Sequence, residues 1–204
     1  MKKRIVVLAS GSGSNLQAIL EAIDRGEIRD AEVVLVVSDR KEAYALERAR
    51  QRKIPTKHLR AKDFTSREDF DREVVRCLEE VQADLVVLAG YMRLITPVFL
   101  STFQQPVLNI HPSLLPAFPG GHGVADALAY GVKVSGCTVH FVDEGMDTGP
   151  ILLQEAVPVY DDDTVEVLHE RIRQLEHKLY PKAINLWTQG KIKLIGRRCV
   201  INGD

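Results

Sequence analysis

The opening of the chain is what most restricts its fold. An apolar, mostly β-branched run, Ile5-Val6-Val7-Leu8-Ala9, closes on Ser10-Gly11-Ser12-Gly13-Ser14-Asn15. Leu16, Ile19, Leu20 and Ile23 follow at helical spacing. A strand without polar alternation is one buried on both faces, the kind found in parallel sheets covered by helices. A glycine turn leading directly from strand to helix begins a β-α-β unit. The basic start, Lys2-Lys3-Arg4, resembles a signal peptide, but the apolar run is too short and stops at glycine. A first strand is the better reading.

The same rhythm continues. Residues 32–37 and 84–89 are further buried-strand runs, with a weaker one at 55–59. Helical periodicity occupies 42–52 and 67–81, where Phe70, Val74, Val75, Leu78 and Val81 share a face. After Asn109 the pattern changes. Proline and glycine crowd residues 112–123, and a segment of that irregularity inside a compact domain is usually functional. Residues 125–130 suggest a short helix, and 135–142 and 151–159 suggest an antiparallel strand pair. Asp163, with Glu166 three residues on, reads as the N-cap of a long helix carrying Pro181. Residues 191–195 and 198–201 form a candidate hairpin about Gly196-Arg197. The expected fold is α/β. It has a Rossmann-like, mostly parallel twisted sheet with helices on both faces and an antiparallel C-terminal extension. The expectation is one domain over 1–204, with a nucleotide- or phosphate-binding half (1–100) and a catalytic half (101–204).

Composition removes several function classes. A formal net charge of -1 over 204 residues gives no footprint for nucleic acid. No apolar stretch reaches the ~18 residues of a membrane helix. Three scattered cysteines, Cys77, Cys137 and Cys199, form neither a disulfide framework nor a zinc motif, which fits the cytoplasm. Asp161-Asp162-Asp163 is better explained as a solvated helix start than as a metal site. No metal is expected.

The chemistry concentrates in two stretches. Asn109-Ile110-His111-Pro112-Ser113-Leu114-Leu115-Pro116 closes an apolar run, and on a strand Asn109 and His111 point to the same face. They would lie at the strand's carboxyl end, where open α/β sheets bind ligands. The second stretch, His140-Phe141-Val142-Asp143-Glu144-Gly145-Met146-Asp147-Thr148-Gly149-Pro150, supplies Asp147, a carboxylate able to favour an imidazolium at His111. Asn, His and Asp suffice for acyl transfer with no nucleophilic side chain. Asp143 and Glu144 are weaker candidates, His122 is placed near the site, and His140, mid-strand, reads as structural. The glycine loop suits a phosphate at a helix start. A plain capped turn at Ser14 is the alternative. The dinucleotide fingerprint fails, because its third glycine would fall at Leu16. Gly90-Tyr91-Met92-Arg93-Leu94-Ile95, after the strongest strand, reads either as a covering loop or as a slot for a flat ring.

Four motifs together, at residues 10–17, 89–93, 109–116 and 140–150, resemble the phosphoribosylglycinamide formyltransferases, a family dependent on 10-formyltetrahydrofolate. The resemblance runs from Ile5 to about Trp187. It implies formyl transfer to the amine of a phosphoribosylglycinamide in purine biosynthesis. Asn109, His111 and Asp147 match the family's catalytic residues. Gly13, Ser14 and Asn15 match its ribonucleotide phosphate loop, and Glu176 a carboxylate contacting that substrate. Met92, Arg93, Leu94 and Ile95, with Asn109, Asp143 and Asp147, match the folate pocket, and Arg67 a position near the folate tail. The implied partners are small molecules only, on a monomer or homodimer. Some relatives carry His-x-His after Pro119-Gly120. This chain reads Gly121-His122-Gly123-Val124, and both glycines are expected to loosen the loop. A formyltetrahydrofolate hydrolase, or another folate formyltransferase, is the nearest alternative. A hydrolase usually carries a further N-terminal domain, whereas here the catalytic pattern starts at residue 4. A non-catalytic nucleotide-binding module is the alternative of another class.

Overall fold

Among the described residues, seven strands form one hydrogen-bonded sheet, in the spatial order third, second, first, fourth, fifth, sixth and seventh along the chain, and the last two strands form a separate sheet. The structure, a computed structural model, describes residues 1–202. Backbone contacts divide the chain after Leu108 into two compact units.

In the first unit, β1 (Lys3–Leu8) pairs in parallel with β2 (Ala31–Ser38) and β4 (Leu85–Leu88), and β2 with β3 (Thr56–His58). Ile5, Val6, Val7 and Leu8 are fully buried, as the unbroken apolar run requires. The connecting helices are α1 (Ser14–Asp24), α2 (Tyr44–Gln51) and α3 (Arg67–Glu80). Leu16 and Ile19 of α1 and Phe70 and Leu78 of α3 face the core. Ser66 caps α3, its hydroxyl accepting from the Asp69 N–H at 3.0 Å. A further helix, α4 (Pro97–Thr102), lies where the sequence reading placed none. Its signal is Thr96-Pro97, a capping hydroxyl followed by proline at the first helical position. At six residues it is too short to show periodicity.

β5 (Val107–His111) leads into the second unit, which holds α5 (Gly123–Tyr130), β6 (Val134–Phe141) and β7 (Ile151–Pro158). β6 and β7 are antiparallel, as expected. The long helix α6 (Val165–Thr188) runs through Pro181 and packs on both strands, burying Leu168, Ile172, Leu179 and Tyr180. Its cap corrects the sequence reading. Thr164, not Asp163, is the N-cap, accepting from the Val167 N–H at 3.3 Å. Asp163 accepts instead from the Tyr160 N–H at 2.8 Å and forms a two-pronged pair with Arg171 at 2.6 and 2.7 Å. The fork geometry of arginine explains the preference, because one carboxylate satisfies two guanidinium donors. β8 (Ile192–Ile195) and β9 (Arg198–Ile201) form the terminal hairpin.

Candidate active site

Four polar side chains converge in the second unit. Asn109 and His111 leave β5 on the same face, and His111 is only 4% exposed. Its Nε2 is 2.8 Å from the carbonyl oxygen of Phe118 and its Nδ1 is 3.4 Å from Oδ2 of Asp147. Both groups opposite the ring only accept hydrogen bonds. Asp147 stands in the loop between β6 and β7 in a left-handed backbone conformation, φ 55°, which Asp tolerates better than most residues. Its Oδ2 also accepts from the Gly120 N–H at 2.8 Å. Its Oδ1 faces Asn109 Nδ2 at 3.5 Å and His140 Nε2 at 3.6 Å. Burial pushes the Asp147 carboxyl up, but the neighbouring His140 imidazole, the Gly120 N–H and the His111 ring outweigh it, holding the group below the usual carboxylate range.

The fourth member is His140, which the sequence reading set aside as structural. It is 2% exposed, with Nε2 at 3.2 Å from Asn109 Nδ2 and Nδ1 at 2.9 Å from the Phe141 carbonyl oxygen. The available signal was Thr138 and His140 at i and i+2, polar groups on one face of a buried strand. Thr138 performs a related task. Its hydroxyl donates to the Ser113 carbonyl at 2.7 Å and accepts from the Leu115 N–H at 3.1 Å. Gln154 Nε2 donates to the Leu115 carbonyl at 2.7 Å. These bonds fix the segment that leaves His111.

The loop glycines differ from expectation. Gly121 has open space around it, but Gly123 is packed closely. A Cβ there would come 3.1 Å from His111 Nε2 and 3.0 Å from the Phe118 carbonyl oxygen. Gly123 therefore serves close approach rather than mobility. Asp143 does not join the cluster. Its Oδ1 accepts from the Gly145 N–H at 3.1 Å and the Thr148 hydroxyl at 2.6 Å, shaping the loop that carries Asp147. His122 occupies the N-cap position of α5 without a side-chain cap bond. Glu176 is buried on α6.

In the first unit, Gly13, Ser14 and Asn15 form the turn into α1, with Gly13 left-handed at φ 71°. Ser14 is the first helical residue rather than the cap, which is Gly13. A Cβ on Gly13 would lie 2.7 Å from Ala45 Cα, so no other residue fits. Helix α2 braces this loop, the Ala45 N–H donating to the Gly11 carbonyl at 3.1 Å and Arg48 Nε to the Ser12 carbonyl at 2.8 Å. Ser10 connects two segments, its hydroxyl donating to Asp39 Oδ1 at 2.6 Å and accepting from the Met92 N–H at 2.9 Å. Met92 and Leu94 expose their apolar side chains, Arg93 stacks 4.2 Å over the Phe70 ring, and Arg67 Nη2 donates to the Leu94 carbonyl at 3.3 Å. Ile95 is half-buried. Among the described residues, no group of three or more His, Cys, Asp or Glu side chains is placed to hold a metal ion.

Residues 3–184 match the family described as Formyl transferase. The chain belongs to that family. Among formyl transferase relatives, the phosphoribosylglycinamide formyltransferase of Mycobacterium tuberculosis is 49% identical over 95% of this chain and 89% of its own length. A solved glycinamide ribonucleotide transformylase from Symbiobacterium toebii is 51% identical, with a TM-score of 0.95 over 98% of this chain and 94% of that one. The trifunctional purine biosynthetic protein adenosine-3 of Drosophila melanogaster is 46% identical over 93% of this chain, which spans 14% of that protein's length. The likeness to the bacterial structure extends the family assignment to the fold, including the mostly parallel sheet and its antiparallel extension.

Proposed function

We propose that this chain transfers a formyl group from 10-formyltetrahydrofolate to the amine of phosphoribosylglycinamide, a step of purine biosynthesis. The observation that carries the reading is the cluster of Asn109, His111 and Asp147, two hydrogen-bond donors and a carboxylate gathered at the end of β5. The names of the bacterial relatives supply the substrate.

The neutral amine attacks the formyl carbon, and the carbonyl oxygen becomes an oxyanion. An Asn109 N–H and an N–H of His111 receive that charge, stronger donors here than in water because the site is buried. The Phe118 carbonyl oxygen, 2.8 Å from His111 Nε2, takes up that position in this structure, and in the proposed transfer the oxyanion would replace it there. Asp147 orients the His111 ring and takes part in moving the proton lost by the attacking nitrogen toward the departing folate nitrogen. As the tetrahedral intermediate collapses, the bond to the folate nitrogen breaks, leaving formylated ribonucleotide and tetrahydrofolate.

As the family resemblance implies, Gly13, Ser14 and Asn15 are assigned to the ribonucleotide phosphate and Glu176 to a carboxylate role toward that substrate. Met92, Arg93, Leu94 and Ile95 hold the folate ring, with Arg67 toward its tail and Asp143 shaping the Asp147 loop. The reading places the enzyme in the cytoplasm, where thiols such as Cys77 and Cys137 stay reduced. The deciding experiment is a spectrophotometric assay of 10-formyltetrahydrofolate with and without phosphoribosylglycinamide. Deformylation that requires the ribonucleotide is expected. Deformylation without it would make the protein a hydrolase. No reaction from folded protein would remove the reading.

A further inference from the structure

His140 has no part in the transfer as written above, yet it is buried against the residue that stabilises the oxyanion. Its two ring nitrogens are not equivalent. Nδ1 lies 2.9 Å from the Phe141 carbonyl oxygen, which can only accept, so Nδ1 carries the proton. In the neutral ring Nε2 is then a bare acceptor. The group 3.2 Å from it is the Asn109 side-chain amide. Only the NH₂ end of that amide can satisfy a bare nitrogen. Turned the other way, the amide oxygen would face the Nε2 lone pair and stand beside Asp147 Oδ1, now 3.5 Å from Nδ2. Both contacts would then join acceptor to acceptor in a buried place.

We propose that His140 is a positioning residue whose Nδ1-protonated ring fixes the orientation of the Asn109 amide. One Asn109 N–H is held on Nε2, which keeps the NH₂ end inward, and the second N–H, on the nitrogen 3.5 Å from Asp147 Oδ1, is the one that passes from that long contact to the oxyanion. The proposal rests on the reading of Asn109 as an oxyanion donor. The competing arrangement is a doubly protonated His140, whose Nε2–H would turn to Asp147 Oδ1, 3.6 Å away, with the Asn109 amide reversed. The charged or titratable groups around it in this unit are Asp147 and, across that carboxylate, His111.

Long-range ¹H–¹⁵N correlation spectra of the wild-type protein read the ring state directly. A neutral His140 with the proton on Nδ1 is expected, and a proton on Nε2 would overturn the proposal. Kinetics give an independent arm. His140→Leu is expected to lower kcat at least tenfold with both KM values within about twofold, and His140→Gln, whose amide oxygen can take the place of Nε2, to recover most of it. In an Asn109→Ala background, His140→Leu should cost nothing further. An equal loss in both backgrounds would show that His140 acts independently of Asn109 and would overturn the proposal. Wild-type turnover in Asn109→Ala alone would instead defeat the oxyanion reading beneath it. Should His140→Leu not fold, the wild-type spectra and the His140→Gln kinetics decide the matter.

Discussion

Gly123 lies directly against the His111 ring, where a methyl group would come 3.1 Å from Nε2. The same methyl would press on the Phe118 carbonyl at 3.0 Å, the group that holds that nitrogen. Gly123→Ala should therefore lower kcat about three- to tenfold by shifting the ring a few tenths of an ångström, since positional errors at a reacting centre are costly. Stability should change by less than about 1 kcal/mol, because Gly123 begins a helix that alanine favours. Steady-state kinetics beside a urea melt separate the two effects. Unchanged kcat would show that the ring tolerates the contact.

Asn109→Ala removes one oxyanion donor and should reduce kcat by about 10²–10³. Both KM values should move little, since the interaction strengthens only as charge develops. Turnover near wild type would rule out this role for the amide.

The depressed Asp147 carboxyl carries a pH signature. A group whose folded-state pKa lies below its unfolded value, ~3.9 for Asp, contributes stability above that unfolded value and loses it as pH falls through the folded one. The stability gap between wild type and Asp147→Asn should be full above about pH 5 and shrink on acidification. Urea midpoints measured between about pH 6 and 2.5 check this. A gap that stays constant or widens in acid would contradict the assigned direction.

Gly13→Ala combines two faults, a left-handed backbone and a Cβ 2.7 Å from Ala45 Cα. Strain in that region costs about 1–2 kcal/mol, and the collision with backbone adds to it. The α1 start should pull away from α2, raising the KM for the ribonucleotide well above that for the folate. Arg48→Met, which frees the Ser12 carbonyl while leaving the backbone unstrained, should produce a weaker form of the same selective rise. Equal changes in both KM values would argue against the phosphate-loop assignment.

Much of this architecture can be read locally. The buried run of β1, the glycine turn and the pairing of Asn109 with His111 each follow from spacing within a few residues, and spacing is what a linear sequence displays. His140 was missed because its partners are distant along the chain, Asn109 being 31 residues away. A lone histidine mid-strand carries no sign of what lies across the sheet. Arg48 escaped for the same reason, since its bond to Ser12 spans 36 residues and depends on how α2 lies on the loop. Thr164 and Asp163 were confused because both cap helices well. The choice was made by Arg171, which engages Asp163 through two donors. Gly123 looked like a source of mobility because sequence shows the missing side chain but not the imidazole beside it.

The Ser10 hydroxyl, held between Asp39 and the Met92 N–H, joins the turn proposed to receive the phosphate to the segment proposed to receive the folate ring. Two ligands sharing one rigid connector do not bind as strangers. Whatever ordering the first imposes on that connector is already in place for the second, so each should tighten the other by the same factor, as linkage requires. Ser10→Ala would cut the connection, and the affinity of each ligand would become indifferent to the presence of the other. Calorimetric titration of one ligand with and without its companion reads that coupling, and equal coupling in both proteins would place the connection elsewhere.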